Sequence, residues 1–269
     1  VNDPNGSQIE QEAKLQWVPL SQMQVNEVAQ RDFNPKWAAD LAAKFDMEEM
    51  GNPTVNHRDG AFHIIDGQHR VEALKLHLGE GGWEERSVEC RTYEGLTDQE
   101  EAEKFLKLNN RLKPHAFDDF RVSAYAGRET ESEISRIVGE MGLKISRARG
   151  GISATGTLKK VYARGGQVVL ARTVMIIRDA YGETGFEAPV IDGIGLFVQR
   201  YAGEVDDERL VKKLASAAGG VGGLLNKANQ LRLTTGNQKG QCVAAAVVDL
   251  ANRGPGGKKL PSWWRSGPV

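Results

Sequence analysis

The run Ile64-Ile65-Asp66-Gly67-Gln68-His69-Arg70-Val71-Glu72-Ala73-Leu74-Lys75-Leu76-His77-Leu78-Gly79 constrains this chain most. An apolar strand breaks at Asp66-Gly67 and restarts as an amphipathic helix, so the fold must contain a sheet with a strand that ends where a helix begins. Gly67 permits a tight turn, the helix start offers unpaired N–H groups, and Gln68, His69 and Arg70 bring three polar side chains to one corner. The corner is the size of a phosphate and has the polarity to hold one. A plain turn with a surface arginine and a hydrogen-bonded histidine accounts for the same residues, and spacing does not choose between the two.

The surrounding sequence places this corner at the end of a hairpin. Pro53 to Ile65 holds two β-prone runs separated by Arg58-Asp59-Gly60, a hairpin signature. His57 and His63 flank the turn at a spacing that suits one face of the strands, but no third ligand accompanies them and no metal site is assigned. Upstream, Lys14 to Leu20 alternates as an edge strand does. Asn34-Pro35 reads as a helix cap and first turn, predicting a helix to about Phe45 with Trp37, Leu41, Ala42 and Phe45 on one face. Downstream, Ser87 to Tyr93 reads as a strand, and Thr97-Asp98-Gln99-Glu100 is a capping box opening a helix to Leu108. That helix ends in a second polar cluster, Asn109, Asn110, Arg111 and Lys113, before Pro114-His115. It suits a segment folding over whatever the first cluster holds, and equally a helix end with cations near its carbonyls.

Beyond this point strand signals nearly vanish and the charge reverses. Residues 1–108 hold 11 Lys/Arg against 21 Asp/Glu, and residues 109–269 hold 24 against 15. The segment 141–178 carries eight basic residues and no acidic one, a candidate polyanion surface. Helices are expected from Ala116 to Ala126 and from a capping box at Thr130-Glu131-Ser132-Glu133, the latter burying Ile134, Ile137, Val138 and Met141 before Gly142. Gly142-Leu143-Lys144-Ile145 resembles the turn of a helix-turn-helix. Its second helix would start near Ser153 or Thr155 and carry Lys159, Lys160 and Arg164. With Lys144, Arg147 and Arg149 these are the candidate DNA-contacting residues. A helical hairpin with a basic side also serves structure alone. Val168 to Ile177 and Ile191 to Phe197 read as core, and Asp206-Asp207-Glu208 as a cap for a helix burying Leu210, Leu214 and Ala217. The glycines at 219–223 lack the Gly-Lys-Ser/Thr ending of a Walker loop.

The expected class is α+β: a small sheet-and-helix domain followed by an all-α domain with the helix-turn-helix. The expected boundaries are a flexible tail at 1–13, the first domain at 14–115, the helical domain at 116–253, and a basic tail at 254–269 containing Trp263-Trp264-Arg265. The longest apolar run, Cys242 to Val248, is far below the roughly 20 residues a spanning helix needs, so no membrane partner is expected. Two cysteines, Cys90 and Cys242, make no disulfide framework, and a cytoplasmic setting is expected.

Val18-Pro19-Leu20, Arg31 before a helix, Gly51-Asn52-Pro53-Thr54-Val55, Asp59-Gly60 and Ile65-Asp66-Gly67-Gln68-His69-Arg70-Val71-Glu72-Ala73 follow one another in an order that resembles the amino-terminal domain of the ParB/sulfiredoxin superfamily, particularly its phage and actinobacterial ParB-like proteins with a DGQHR motif. The resemblance covers about residues 15–120. It implies that Asp66, Gly67, Gln68, His69 and Arg70 with Asn109, Asn110, Arg111 and Lys113 hold a nucleoside triphosphate, CTP or ATP with Mg2+. A helical DNA-binding domain would follow, the partners being DNA and a nucleotide, with a homodimer left open. Chromosome-segregation members carry Gly-Glu-Arg-Arg at the corner, where Gln68 and His69 stand here. Gln68 also replaces the cysteine of sulfiredoxin, so redox chemistry is not expected. The leading expectation is a DNA-binding protein of a phage or mobile element with a nucleotide pocket. The alternatives are an NTP-dependent enzyme (NTPase, kinase or nuclease) using Asp66 or Glu72, and a phage protein that binds a host protein without nucleotide.

Overall fold

A computed structural model of the chain describes residues 12–109, 115–254 and 259–262. The expected tail at 1–13, the site candidates Asn110, Arg111 and Lys113, and Trp263-Trp264-Arg265 lie wholly or mostly outside the described residues. The chain forms two compact units, 1–128 and 129–269. This division falls beyond the boundary expected at 115, because the helix Ala116–Tyr125 (α5) places Val122 in the core of the first unit.

The first unit is built on a five-stranded mixed sheet. Strands β1 (Lys14–Pro19), β2 (Met23–Val25), β3 (Thr54–Arg58), β4 (Ala61–Asp66) and β5 (Ser87–Glu94) are ordered β1-β5-β3-β4-β2. β1 is the expected edge strand, and β3 and β4 are the expected hairpin, with Arg58 opposite Ala61. Asp59 and Gly60 both have positive φ (54° and 78°), as a two-residue turn matched to the strand twist requires. The same register puts His57 opposite Phe62 and His63 opposite Asn56. Opposed residues share a face, so the two histidines lie on opposite faces of the sheet, which corrects the one-face expectation. The three-residue strand β2, parallel to β4, was not anticipated.

Both faces of the sheet are covered. On one, Val18, Val55, Phe62, Ile64, Val88 and Cys90 pack with Val71 and Leu74 of α3 (Gln68–Leu78). On the other, Ile65 and Tyr93 pack with Ala102, Phe105 and Leu106 of α4 (Asp98–Leu108) and with Val122 of α5. The Thr97–Glu100 capping box forms as expected. A buried carboxylate, Glu101, fastens α4 to the sheet by accepting hydrogen bonds from Asn56 Nδ2 (2.7 Å) and Asn26 Nδ2 (2.9 Å), with Arg58 Nη2 at 3.6 Å. Asn34 caps α1 (Pro35–Ala42) through the Trp37 N–H at 3.1 Å. This helix stops at Ala42, three residues before the expected Phe45, and a separate turn, α2 (Met47–Met50), follows under an Asp46 cap.

The second unit has helices and, among its described residues, no strand: α6 (Glu129–Glu140), α7 (Thr155–Tyr181), α8 (Ala188–Arg200), α9 (Asp207–Ala215), α10 (Gly220–Thr235) and α11 (Lys239–Ala251). The apolar run Cys242 to Val248 lies in α11, a helix buried nearly all round. It packs on α8 without room for added side chains: a Cβ on Gly193 would come within 2.5 Å of Val243, and one on Gly240 within 2.0 Å of Asp192. α7 is interrupted at Gly165-Gly166, where Gly166 takes φ 62°. Two expectations need correction. α6 begins at Glu129, so Thr130 is inside the helix and no capping box opens it there. Ala217 lies beyond the end of α9 and is only partly buried, although Asp206 caps that helix and Leu210 and Leu214 are buried as expected.

Candidate functional site

The corner forms where the sequence places it. β4 ends at Asp66, Gly67 adopts φ 101°, and α3 starts at Gln68. A side chain on Gly67 would be strained by that φ and would press on Arg70 Nη2 (3.2 Å) and Pro53 Cβ (3.3 Å). Around the corner lies a cleft of about 420 Å³, lined by Gln30, Arg31, Trp37, Asp66 to Arg70, Phe105 and Asn109 among others. That volume lies in the small-ligand range.

The three polar residues of the corner differ in their state. Arg70 is folded back: its guanidinium donates to the Met50 carbonyl and to Asp66 Oδ2 (2.8 Å). Its charge is therefore matched locally by Asp66. His69 is 3% exposed, with Phe33 (ring centroids 5.1 Å apart) and Trp37 (4.3 Å) against its ring. Its Nε2 accepts the Asn34 N–H at 3.0 Å, which places the ring proton on Nδ1. Burial, reinforced by the nearby Arg31 cation, pushes its pKa down to about 4, so the imidazole is neutral at pH 7. Gln68 is 5% exposed, and its Nε2 donates to the Arg31 carbonyl at 3.1 Å. Two polar atoms at this corner, Gln68 Oε1 and His69 Nδ1, are buried and find no hydrogen-bond partner among the described residues. Such atoms cost on the order of 1–3 kcal/mol each when left unsatisfied.

The cation that faces the cleft comes from elsewhere. Arg31 stacks over the Trp37 ring at 4.7 Å. Burial lowers its pKa, with Asp66 and Asp118 acting the other way, and among the described residues no carboxylate lies within ion-pair distance of it. The loop carrying Arg31 is fixed on two sides. Gln30 Nε2 donates to the carbonyls of Ile64 and Ile65, and Arg121 of α5 donates to the carbonyls of Glu27 (2.8 Å) and Gln30 (2.6 Å) and meets Asp32 at 3.2 Å. Asn109 also lines the cleft, its Nδ2 donating to the Phe105 carbonyl. Sequence reasoning missed Gln30, Arg31 and Trp37 as site residues. The signal for Arg31 was its place immediately before the capped helix α1.

In the second unit, the basic residues separate into two groups. Lys159 pairs with Glu131 of α6, Lys160 (3.1 Å) and Arg164 (2.6 Å) pair with Asp192 of α8, and Arg172 pairs with Asp207 (2.7 Å). Lys144, Arg147 and Arg149 are exposed in the connection 141–154 between α6 and α7. The chain turns at Gly142 (φ 74°) and α7 starts at Thr155, but the connection between α6 and α7 is far longer than the three or four residues, roughly, that join the helices of a helix-turn-helix. Cys90, on β5, is buried, and burial with Glu89 nearby pushes its thiol up to about 12. It lines no part of the cleft.

A mixed sheet with a strand-to-helix corner cleft, followed by a helical unit, defines the architecture. The chain belongs to the family described as a family of unknown function, DUF6551, which matches residues 25–220. Comparison with curated proteins gives no match. Among solved structures, the chain is similar to the C-terminally truncated chromosome-partitioning protein ParB from Caulobacter crescentus complexed with CTP-gamma-S, at 14% identity and a TM-score of 0.31, covering 77% of this chain and 95% of that one. Among the described residues, no helix is long and apolar enough to cross a membrane.

Proposed function

We propose that this chain is a ParB-like nucleotide-binding protein that also binds DNA, with the nucleotide in the corner cleft of the first unit. The observation that carries the reading is a cleft of about 420 Å³ lined both by the amino terminus of α3 and by Arg31, a cation that no carboxylate meets at ion-pair distance among the described residues. A cleft that served packing alone would be lined by apolar or satisfied groups. The first-turn N–H groups of α3 and Arg31 suit an anionic group, and Trp37 offers an aromatic wall for a planar one. The sequence resemblance names the ligand class, a nucleoside triphosphate with Mg2+. Asp66 is engaged by Arg70, which favours binding over phosphoryl transfer or hydrolysis. In the second unit the exposed cations Lys144 and Arg149 suit a phosphate backbone better than the ion-paired Lys159, Lys160 and Arg164.

Calorimetry with CTP, ATP and GTP in Mg2+, with and without duplex DNA, tests both parts. Saturable binding of at least one nucleotide, weakened about tenfold in Arg31→Ala, is the expected result. No heat with any of the three would overturn the nucleotide reading. A labelled duplex that fails to bind at low salt would overturn the DNA reading.

A further inference from the structure

The exposed face of α10 differs from those of its neighbours in the second unit. Leu224 and Ala228 are buried, and α10 rests on α11. On the opposite side Asn226, Asn229, Gln230 and Leu233 fall at i, i+3, i+4 and i+7 and form one exposed stripe, with Leu233 at 87% exposure. Among the described residues none of the three amides has a side-chain hydrogen bond. Other solvated helix faces in this unit carry ion pairs, Arg136 with Glu133 and Glu140 on α6 and Lys212 with Glu208 on α9, and such pairs support a helix. α10 has no acidic residue, and the stretch 209–248 around it holds six Lys/Arg and no Asp/Glu. Lys227 is paired with Asp249 at 2.7 Å, whereas Arg232 is exposed and meets no carboxylate at ion-pair distance among the described residues. Asparagine is a poor helix former, so two of them in the middle of this stripe do nothing for the helix that carries them.

Amide side chains at this spacing match the edges of base pairs. Asn and Gln hydrogen-bond adenine in the major groove through both of their polar atoms, and an apolar side chain meets the thymine methyl. A helix about 10–12 Å across fits that groove, which is about 12 Å wide. We infer that α10 reads base sequence in duplex DNA, with Asn226, Asn229 and Gln230 on adenine edges, Leu233 on a thymine methyl and Arg232 on a flanking phosphate. The inference rests on the DNA-binding reading and deepens it, because Lys144 and Arg149 suit phosphates, which position a protein but carry no sequence information. Charge complementarity selects the occupant: the acid-free surroundings of α10 suit a uniformly anionic duplex.

The test passes a pool of DNA duplexes with a random central stretch over the full chain and sequences those retained. The selected duplex and the unselected pool are then titrated by fluorescence anisotropy at one fixed low salt concentration. The variant is Asn226→Ala/Asn229→Ala/Gln230→Ala. Alanine favours the helix, a thermal melt establishes that the variant is folded, and Gln230→Ala alone serves as a second variant. The expected result is an enriched motif containing adenine, bound at least about tenfold more weakly by the triple variant, with affinity for the unselected pool and its salt slope unchanged. A chain that binds the pool but enriches no motif overturns the inference and leaves the DNA-binding reading intact. The same holds for a folded variant that keeps the preference, which hands the stripe to a protein partner, and for an equal loss on the selected and unselected duplexes. Absence of binding to the pool at low salt removes both.

Discussion

The two units of this chain differ in what becomes of the cations that their sequences display. In the second, four of the eight cations that stand out in 141–178 are matched: Lys159, Lys160, Arg164 and Arg172 each meet a carboxylate from another helix. In the first, the corner's own arginine, Arg70, is held by Asp66, while Arg31 lines the cleft with no carboxylate at ion-pair distance among the described residues. A run of like charge says little about function until its partners are known, because ion pairing across helices consumes it. An arginine that lines a cleft with no carboxylate beside it says more, because pairing has not consumed its charge.

The two free cysteines, Cys90 in the first unit and Cys242 in the second, are both buried. Pulsed thiol labelling along a urea gradient therefore follows each unit separately, and it can sharpen or break the contrast. The largest effect is expected for Glu101→Ala, which removes the buried acceptor of Asn26 and Asn56 and the neighbour of Arg58. It should destabilise the first unit by about 4 kcal/mol, with Cys90 labelled at lower urea than before and Cys242 unmoved. If both thiols shift together, the units unfold as one and the contrast in stability has no basis.

Acid comes next. The fold lowers the His69 pKa from 6.5 to about 4, so it disfavours the protonated ring, which the unfolded chain accepts freely. The associated stability is fully present above pH 6.5 and is lost as pH falls toward 4, by roughly 3 kcal/mol at most. His69→Phe should lack that component of the pH profile. Parallel profiles for the two proteins over this window would show that the imidazole is not held neutral. Asp98 acts lower: burial alone would raise its pKa, but hydrogen bonds from Arg58, Tyr125 and Asn26 hold it below the usual range. Its contribution is lost only as pH falls further.

Gly193→Ala probes the other unit. Its methyl would press on Val243 of α11, with an expected cost of about 2 kcal/mol read by earlier labelling of Cys242 and not of Cys90. The smallest effect separates the two groups of cations. Lys144→Ala/Arg149→Ala should reduce the slope of log affinity against log salt for duplex DNA by about 1 per lost phosphate contact. Lys159→Ala/Lys160→Ala should change it less, and the reverse order would mean that the ion pairs open on DNA.

Much of the first unit was legible from local rules. Asn34-Pro35, Asp59-Gly60, Gly67 and the Thr97 box each state a backbone conformation within a few residues, and each forms. What escaped depends on residues far apart in the chain. Strand β2 exists because Met23 to Val25 pairs with Phe62 to Ile64, and three residues carry no periodicity to detect. Arg31 and Trp37 enter the site only because α1 packs on α3, and the partners of Lys160 and Arg164 lie on a helix that follows in sequence. His57 and His63 were placed on one face because the register of a hairpin, not the spacing in the chain, decides parity.

Arg121 holds the carbonyls of Glu27 and Gln30 from α5, about ninety residues further on. Chains are made and fold from the amino terminus, so the corner at Asp66 to Arg70 emerges well before the residue that clamps its opposite wall. During synthesis the nascent Arg31 loop is held on one side only, by Gln30 on Ile64 and Ile65, and its second tether waits until the chain has been extended through α5. A fragment ended at residue 115 would be fixed permanently in that immature condition, whereas one ended after Arg128 would carry its own clasp.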